Sequence, residues 1–255
     1  MALLDIHNLH LQRSSKTILH IEQASLNTAE IVAVLGPNGA GKSSLLKILA
    51  SQWQPESGHI LFHNTPLQTL TRRDRAQHIG VLPQSSELNF PFRAQEVVAI
   101  GATPLSMDKH TIDQQTRHWM QKTATLTLAD RLYTSLSGGE RQRVQLARVL
   151  LQISMATRAP LLLLDEPTSA QDLGQQHDLL AMLRELTQQQ QATILMIMHD
   201  LNLAGRYADQ IWLLNQGKMV ASGRPDAILH PDRVKSVWGY YPEVLQSRDG
   251  RQVLV

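Results

Sequence analysis

Residues Gly36, Pro37, Asn38, Gly39, Ala40, Gly41, Lys42 and Ser43 fill the spacing G-x-x-x-x-G-K-[ST] without a gap, and Ser44 follows. In such a loop glycines let the backbone wrap phosphate oxygens, a lysine neutralises the outer phosphates and the closing hydroxyl ligates Mg²⁺. The flanks fit. IVAVL at 31–35 is a continuous apolar run suited to a strand buried on both faces, and SLLKILASQW after the loop has helical spacing. A glycine-rich turn is the bland alternative, and this strand–loop–helix placement argues against it.

A second stretch, LSGGERQR at 136–143, raises a question. Ser137 followed by Glu140 has the spacing of a capping box, yet Gly138 and Gly139 occupy the first helical positions, where each costs roughly 1 kcal/mol relative to alanine. Bare glycines at a helix start expose backbone N–H groups that favour an anion. The chain thus carries a second site suited to phosphate. A third feature is LLLLDE, ending in Asp165 and Glu166. One carboxylate at a strand end can hold a Mg²⁺ shell, and its neighbour can polarise a water. Gln84 after HIGVLP and His199 after TILMIM are polar residues at strand ends; alone, either would read as solvated.

The elements that must position these residues follow from the pattern. Residues 2–35 alternate in short runs and predict strands; further strands are predicted at 59–63, 78–84, LLLLDE and TILMIMHD. Helical spacing follows the last two, in LGQQHDLLAMLRELTQQQ and LNLAGRYA, so the alternation predicts a mostly parallel sheet wrapped by helices. Between about 85 and 135 the texture becomes mostly helical, and IWLLNQ and KMVASG close with short strands. With 255 residues, a substantial core is available. A net charge of +2 with no Lys/Arg run argues against nucleic acid as a partner. The absence of cysteine excludes disulfides and thiolate metal sites and suits a reducing compartment, and eleven scattered histidines do not point to a metal site. MALLDIHNLH has no basic leader or long apolar stretch, so no signal peptide is expected; the apolar runs are far shorter than the ~20 residues of a membrane span.

Taken in order, the loop at 36–43, Gln84, LSGGE at 136–140, the strand end at 161–166 and His199 resemble the ordered motifs of ATP-binding cassette ATPases across essentially the whole chain. The resemblance implies an α/β fold: a phosphate-loop NTPase core of mostly parallel sheet, an antiparallel β subdomain and a helical subdomain at roughly 85–155, within a single nucleotide-binding domain spanning 1–255. It also answers the question of the second phosphate site. In that family two cassettes pair head to tail, and the LSGGE helix of one caps the ATP held by the loop of the other. The resemblance therefore implies ATP and Mg²⁺ as cofactors. Residues Gly36 to Ser44 would bind the nucleotide, and Ser43, Gln84 and Asp165 would surround the metal. Glu166 would be the general base, with metal-side Gln84 also in the catalytic set and His199 contacting the γ-phosphate. Ser137, Gly138, Gly139 and Glu140 would act in trans, and Ser169, Ala170, Gln171 and Asp172 would form the loop crossing the dimer interface.

Two positions depart from the family pattern. Where an aromatic residue usually stacks on adenine, this chain has Arg13, whose guanidinium plane can also stack; a solvent-facing arginine is the alternative. The interface loop reads SAQD rather than SALD, placing polar Gln171 at a position usually packed.

SSELNFPFRAQEVVAIGATP at 85–104 and ISMATRAP at 153–160 resemble the iron-complex, heme and cobalamin importer subgroup, heme importers most of all. This implies a homodimer at the cytoplasmic face of the inner membrane, bound peripherally to two copies of a multi-span permease, with a periplasmic heme-binding protein as an indirect partner. A ferric-siderophore or cobalamin importer is the alternative within transport. A soluble cassette ATPase of DNA repair or translation is the alternative outside it, although the second cassette or long coiled-coil insertion typical of those is missing.

Overall fold

A computed structural model describes residues 2–14, 16–84, 90–247 and 250–255. Strands β1 (Ala2–Arg13) and β2 (Lys16–Asn27) form a long antiparallel hairpin, and β3 (Ile31–Leu35) runs directly into the glycine-rich loop. Helix α1 (Lys42–Leu49) follows. It ends earlier than the sequence pattern predicts: Ser51 takes a left-handed backbone at φ 55°, so Gln52 and Trp53 leave the helix and donate from their backbone N–H groups to the Lys47 carbonyl. Strands β4 (Ser57–Phe62) and β5 (Thr65–Pro66) extend the antiparallel part, and α2 (Arg72–His78) leads into β6 (Ile79–Leu82).

The next elements are helical: α3 (Ala94–Ala99), α4 (Lys109–Lys122) and α5 (Gly138–Ile153). Then β7 (Leu161–Asp165), α6 (Leu173–Gln190), β8 (Thr193–Ile197) and α7 (Leu201–Tyr207) give the strand–helix alternation read from the sequence. Strands β9 (Gln210–Asn215) and β10 (Lys218–Gly223), helices α8 (Pro225–Ile228) and α9 (Pro231–Trp238), and a hairpin of β11 (Val244–Gln246) and β12 (Gln252–Leu254) complete the chain.

The large sheet runs β5-β4-β1-β2-β10-β9-β3-β8-β7-β6. Its β3-β8-β7-β6 portion is parallel and its β5-β4-β1-β2 portion antiparallel. Because successive side chains of a strand point to opposite faces, each buried strand feeds two cores. Ile31, Ala33, Leu162, Leu164, Ile194 and Met196 face the helices α3 to α7, whereas Val32, Val34, Leu161, Leu163, Leu195 and Ile197 face α1 and the antiparallel strands. This two-sided burial explains why these strands read as unbroken apolar runs. It also lines up the carboxyl ends of four adjacent parallel strands along one edge of the sheet, where open α/β sheets place their ligands.

The segment at 153–160 is tied to the turn between β4 and β5 and to the end of α2 by two histidines. His63 Nε2 contacts the Ala159 carbonyl at 2.9 Å, and His78 Nε2 accepts from the Thr157 backbone N–H at 3.3 Å. Among the described residues no helix is long and apolar enough to cross a membrane.

Candidate nucleotide site

Each sequence-derived candidate other than Arg13 and the LSGGE residues leaves the end of a parallel strand or the loop after it. The loop after β3 turns sharply at Gly36 (φ 148°), where a Cβ would stand 2.0 Å from the Leu214 carbonyl oxygen, so only glycine fits. Lys42 opens α1 and folds back, donating to the carbonyls of Gly36 at 2.7 Å and Pro37 at 3.0 Å. Its ammonium is buried, and desolvation lowers its pKa against the opposing pull of Glu166 and Asp165. A buried cation wrapped by a glycine-rich loop at a helix start is built to receive phosphate oxygens.

Asp165 stands at the end of β7, facing the loop. Burial raises its pKa, with Ser43, Lys47 and Lys42 pulling the other way. Its Oδ1 is buried with no hydrogen-bond partner. An orphaned carboxylate oxygen beside a serine hydroxyl is a hard oxygen donor set, the kind that suits Mg²⁺.

Glu166 is the hub of the site. Its backbone is left-handed at φ 51°, a strained state for a residue that also precedes proline. Three donors grip its carbonyl: Gln142 Nε2 at 2.8 Å, Ser169 Oγ at 3.0 Å and Ser169 N–H at 3.2 Å. Its carboxylate is engaged on both oxygens, Oε2 by Gln84 Nε2 at 3.0 Å and Oε1 by His199 Nε2 at 2.6 Å. The strand-end glutamine and histidine, each weak as an isolated sequence signal, therefore converge on one carboxylate.

Helix α5 begins with the capping box that its sequence predicts. Ser137 Oγ accepts from Glu140 N–H at 3.2 Å, and Glu140 Oε2 accepts from Ser137 N–H at 2.7 Å. That backbone N–H, followed by Arg131 at 3.1 Å, helps hold the Glu140 carboxyl below the usual range. Gly138 is exposed and Gly139 is buried; a Cβ on Gly139 would stand 2.5 Å from the Ala170 carbonyl oxygen. The helix start thus packs directly on the loop 169–172 of its own chain, where Ser169 and Ala170 are exposed and Asp172 caps α6 through Gln175 N–H at 2.9 Å. Gln171 is buried within the chain, donating weakly to the Pro167 carbonyl at 3.3 Å and leaving Oε1 unpartnered.

The model of the ABC transporter family matches residues 19–169, which span the phosphate loop, Gln84, the helix start at 137–140, Asp165 and Glu166. The chain belongs to the ABC transporter family. The cassette is 43% identical over 99% of its length to the hemin import ATP-binding protein HmuV of Shewanella denitrificans, all of which is covered. It is 47% identical over 93% of its length to the HmuV of Photobacterium damselae subsp. damselae, covering 89% of that relative. A solved inward-facing ABC transporter assigned to the metal-chelate type superposes with a TM-score of 0.82 at 28% identity, covering 100% of this chain and 98% of that one. The α/β phosphate-loop fold and the ATPase class of the cassette are thereby established.

Two residues with clear places in the cassette escaped the sequence reading. Gln142 lies inside LSGGERQR, but only its reach to the Glu166 carbonyl gives it a role. Trp53 was absorbed into the expected helix, whereas the structure places it under Arg13, whose guanidinium carbon lies 3.6 Å from the indole centroid. Of the segment 85–104, residues 85–89 lie outside the described residues. Phe90 and Phe92 are exposed, their ring centroids 6.2 Å apart, so this pair is not core packing.

Proposed function

We propose that the cassette energises heme import from the cytoplasmic face of a bacterial inner membrane. The observation carrying this reading is that relatives named hemin import ATP-binding proteins, 41–47% identical, align with nearly the whole chain. In this reading residues 1–255 are one nucleotide-binding domain, with the helical part near 85–155 facing the membrane partner.

Two copies pair head to tail. ATP lies on Gly36 to Ser44 of one copy, and Ser137, Gly138 and Gly139 of the other close over its γ-phosphate, with Glu140 holding that helix start. The loops Ser169 to Asp172 meet across the interface. Ser43, Asp165 and Gln84 hold Mg²⁺, which screens the phosphate charge when bound. Glu166 takes the proton of the attacking water, and His199 contacts the γ-phosphate. Both Glu166 oxygens are engaged in the structure, and loosening one contact would make the carboxylate a stronger base for that proton. Gln84 is the contact suited to yield, being exposed and at the entrance to the segment ending at Phe90-Pro91-Phe92. The permease, two copies of a multi-span protein, docks beside that exposed pair, and a periplasmic heme-binding protein supplies cargo to it. ATP binding closes the two cassettes, and hydrolysis reopens them.

A strain lacking the cassette should fail to grow on heme as sole iron source while still using iron salts. Normal growth on heme with a defect on a ferric chelate would instead favour the siderophore reading, which the likeness to the metal-chelate type transporter supports; a defect confined to cobalamin use would move the cargo there.

A further inference from the structure

The stack of Arg13 on Trp53 has no part in the phosphate chemistry, yet it is built from fixed pieces. Trp53 is half-buried against the core between α1 and the antiparallel strands, and its backbone N–H donates to the Lys47 carbonyl at 3.1 Å. Lys47 itself places its ammonium 4.7 Å from the same indole centroid. Arg13 ends β1, paired with Lys16 at the hairpin tip, and is exposed. That hairpin sits on the phosphate loop: a Cβ on Gly41 would stand 2.9 Å from the Ile18 carbonyl oxygen. The 3.6 Å spacing of guanidinium carbon and ring centroid is that of a close stack, which covers one face of the guanidinium.

We propose that Trp53 and Arg13 act together as the adenine platform of this cassette, Trp53 fixing the guanidinium plane and the adenine ring lying on its open face. A lone arginine is a poor platform because its long side chain must be immobilised on binding. The indole has already restricted it, so less freedom is lost when the base arrives. The proposal rests on the reading that Arg13 stands at the base site, and names Trp53 as the residue positioning it. The contact is non-directional toward the edges of the base, so it supplies stacking strength rather than base discrimination.

Binding of ATP and of inorganic triphosphate, which has no base, separates the platform from the phosphate loop. Trp53→Leu and Arg13→Ala should each weaken ATP binding by about two- to fivefold and leave triphosphate binding unchanged. Trp53→Phe should retain near wild-type ATP affinity, and the double variant should bind ATP no more weakly than Arg13→Ala alone. Equal weakening of ATP and triphosphate by Trp53→Leu would overturn the proposal, showing that Trp53 only supports α1. If Arg13→Ala weakens ATP while Trp53→Leu does not, the pairing fails and Arg13 alone holds the base. If neither variant changes ATP affinity, both the platform and the placement of Arg13 at the base fall.

Discussion

Gln142, early in helix α5, donates from Nε2 to the backbone carbonyl of Glu166 at 2.8 Å. The helix proposed to close over the partner's nucleotide is thus bonded to the residue proposed to act on the chain's own. Glu166 needs such support, because its left-handed backbone is strained. Gln142→Leu should lower kcat by about two- to thirteenfold, the worth of one hydrogen bond of about 0.5–1.5 kcal/mol, with little change in ATP affinity. Steady-state kinetics beside equilibrium binding would show this. A loss of affinity with unchanged kcat would place Gln142 in nucleotide binding instead.

Glu166→Gln keeps the shape of the side chain and removes the base. ATP binding should persist while turnover falls by about 10²–10⁴-fold, the range for general-base catalysis, and an ATP-bound dimer should accumulate in size-exclusion chromatography. Wild-type turnover would show that another group takes the proton.

The placement of Ser137 can be tested without a structure of the pair. A mixed dimer of Ser137→Arg and Lys42→Ala chains should keep one intact composite site, formed by the Lys42 loop of the first chain and Ser137 of the second. The other site carries both lesions. Trapped nucleotide should therefore be found on the Ser137→Arg chain; equal trapping on both chains would mean that Ser137 serves its own nucleotide.

Gln171 is buried with Oε1 unpartnered and only a long bond to Pro167. Replacing a buried, half-satisfied amide by an apolar side chain of similar size removes a desolvation cost. Gln171→Leu should raise stability by about 1 kcal/mol, or roughly 2–4 °C in Tm, measured by thermal unfolding of the isolated cassette. A lowered Tm would show that the amide is satisfied within the chain.

The sheet was legible because β3, β7 and β8 are buried on both faces and so appear as IVAVL, LLLLD and TILMI. The phosphate loop and the capping box were legible because their functions require particular residue types at fixed spacing. Gln84 and His199 could be placed only through the order of motifs, since their convergence on Glu166 depends on the spatial order of β6, β7 and β8 rather than on neighbours in the chain. Trp53 was hidden by a helix end. The apolar spacing of α1 carries on past Leu49, but the left-handed turn at Ser51 swings the indole back under Arg13. That Gln171 occupies a packed position was legible only through the family pattern, because a loop sequence by itself does not reveal which of its side chains turns inward.

The central claim is that ATP hydrolysis by this cassette drives heme across a membrane. The most direct measurement is heme uptake into proteoliposomes containing the cassette bound to the permease that co-purifies with it, with ATP supplied to the cassette side. Heme should accumulate with ATP, and accumulation should be abolished by Glu166→Gln. An assembled complex that hydrolyses ATP but moves a ferric siderophore or cobalamin, and not heme, would contradict the account.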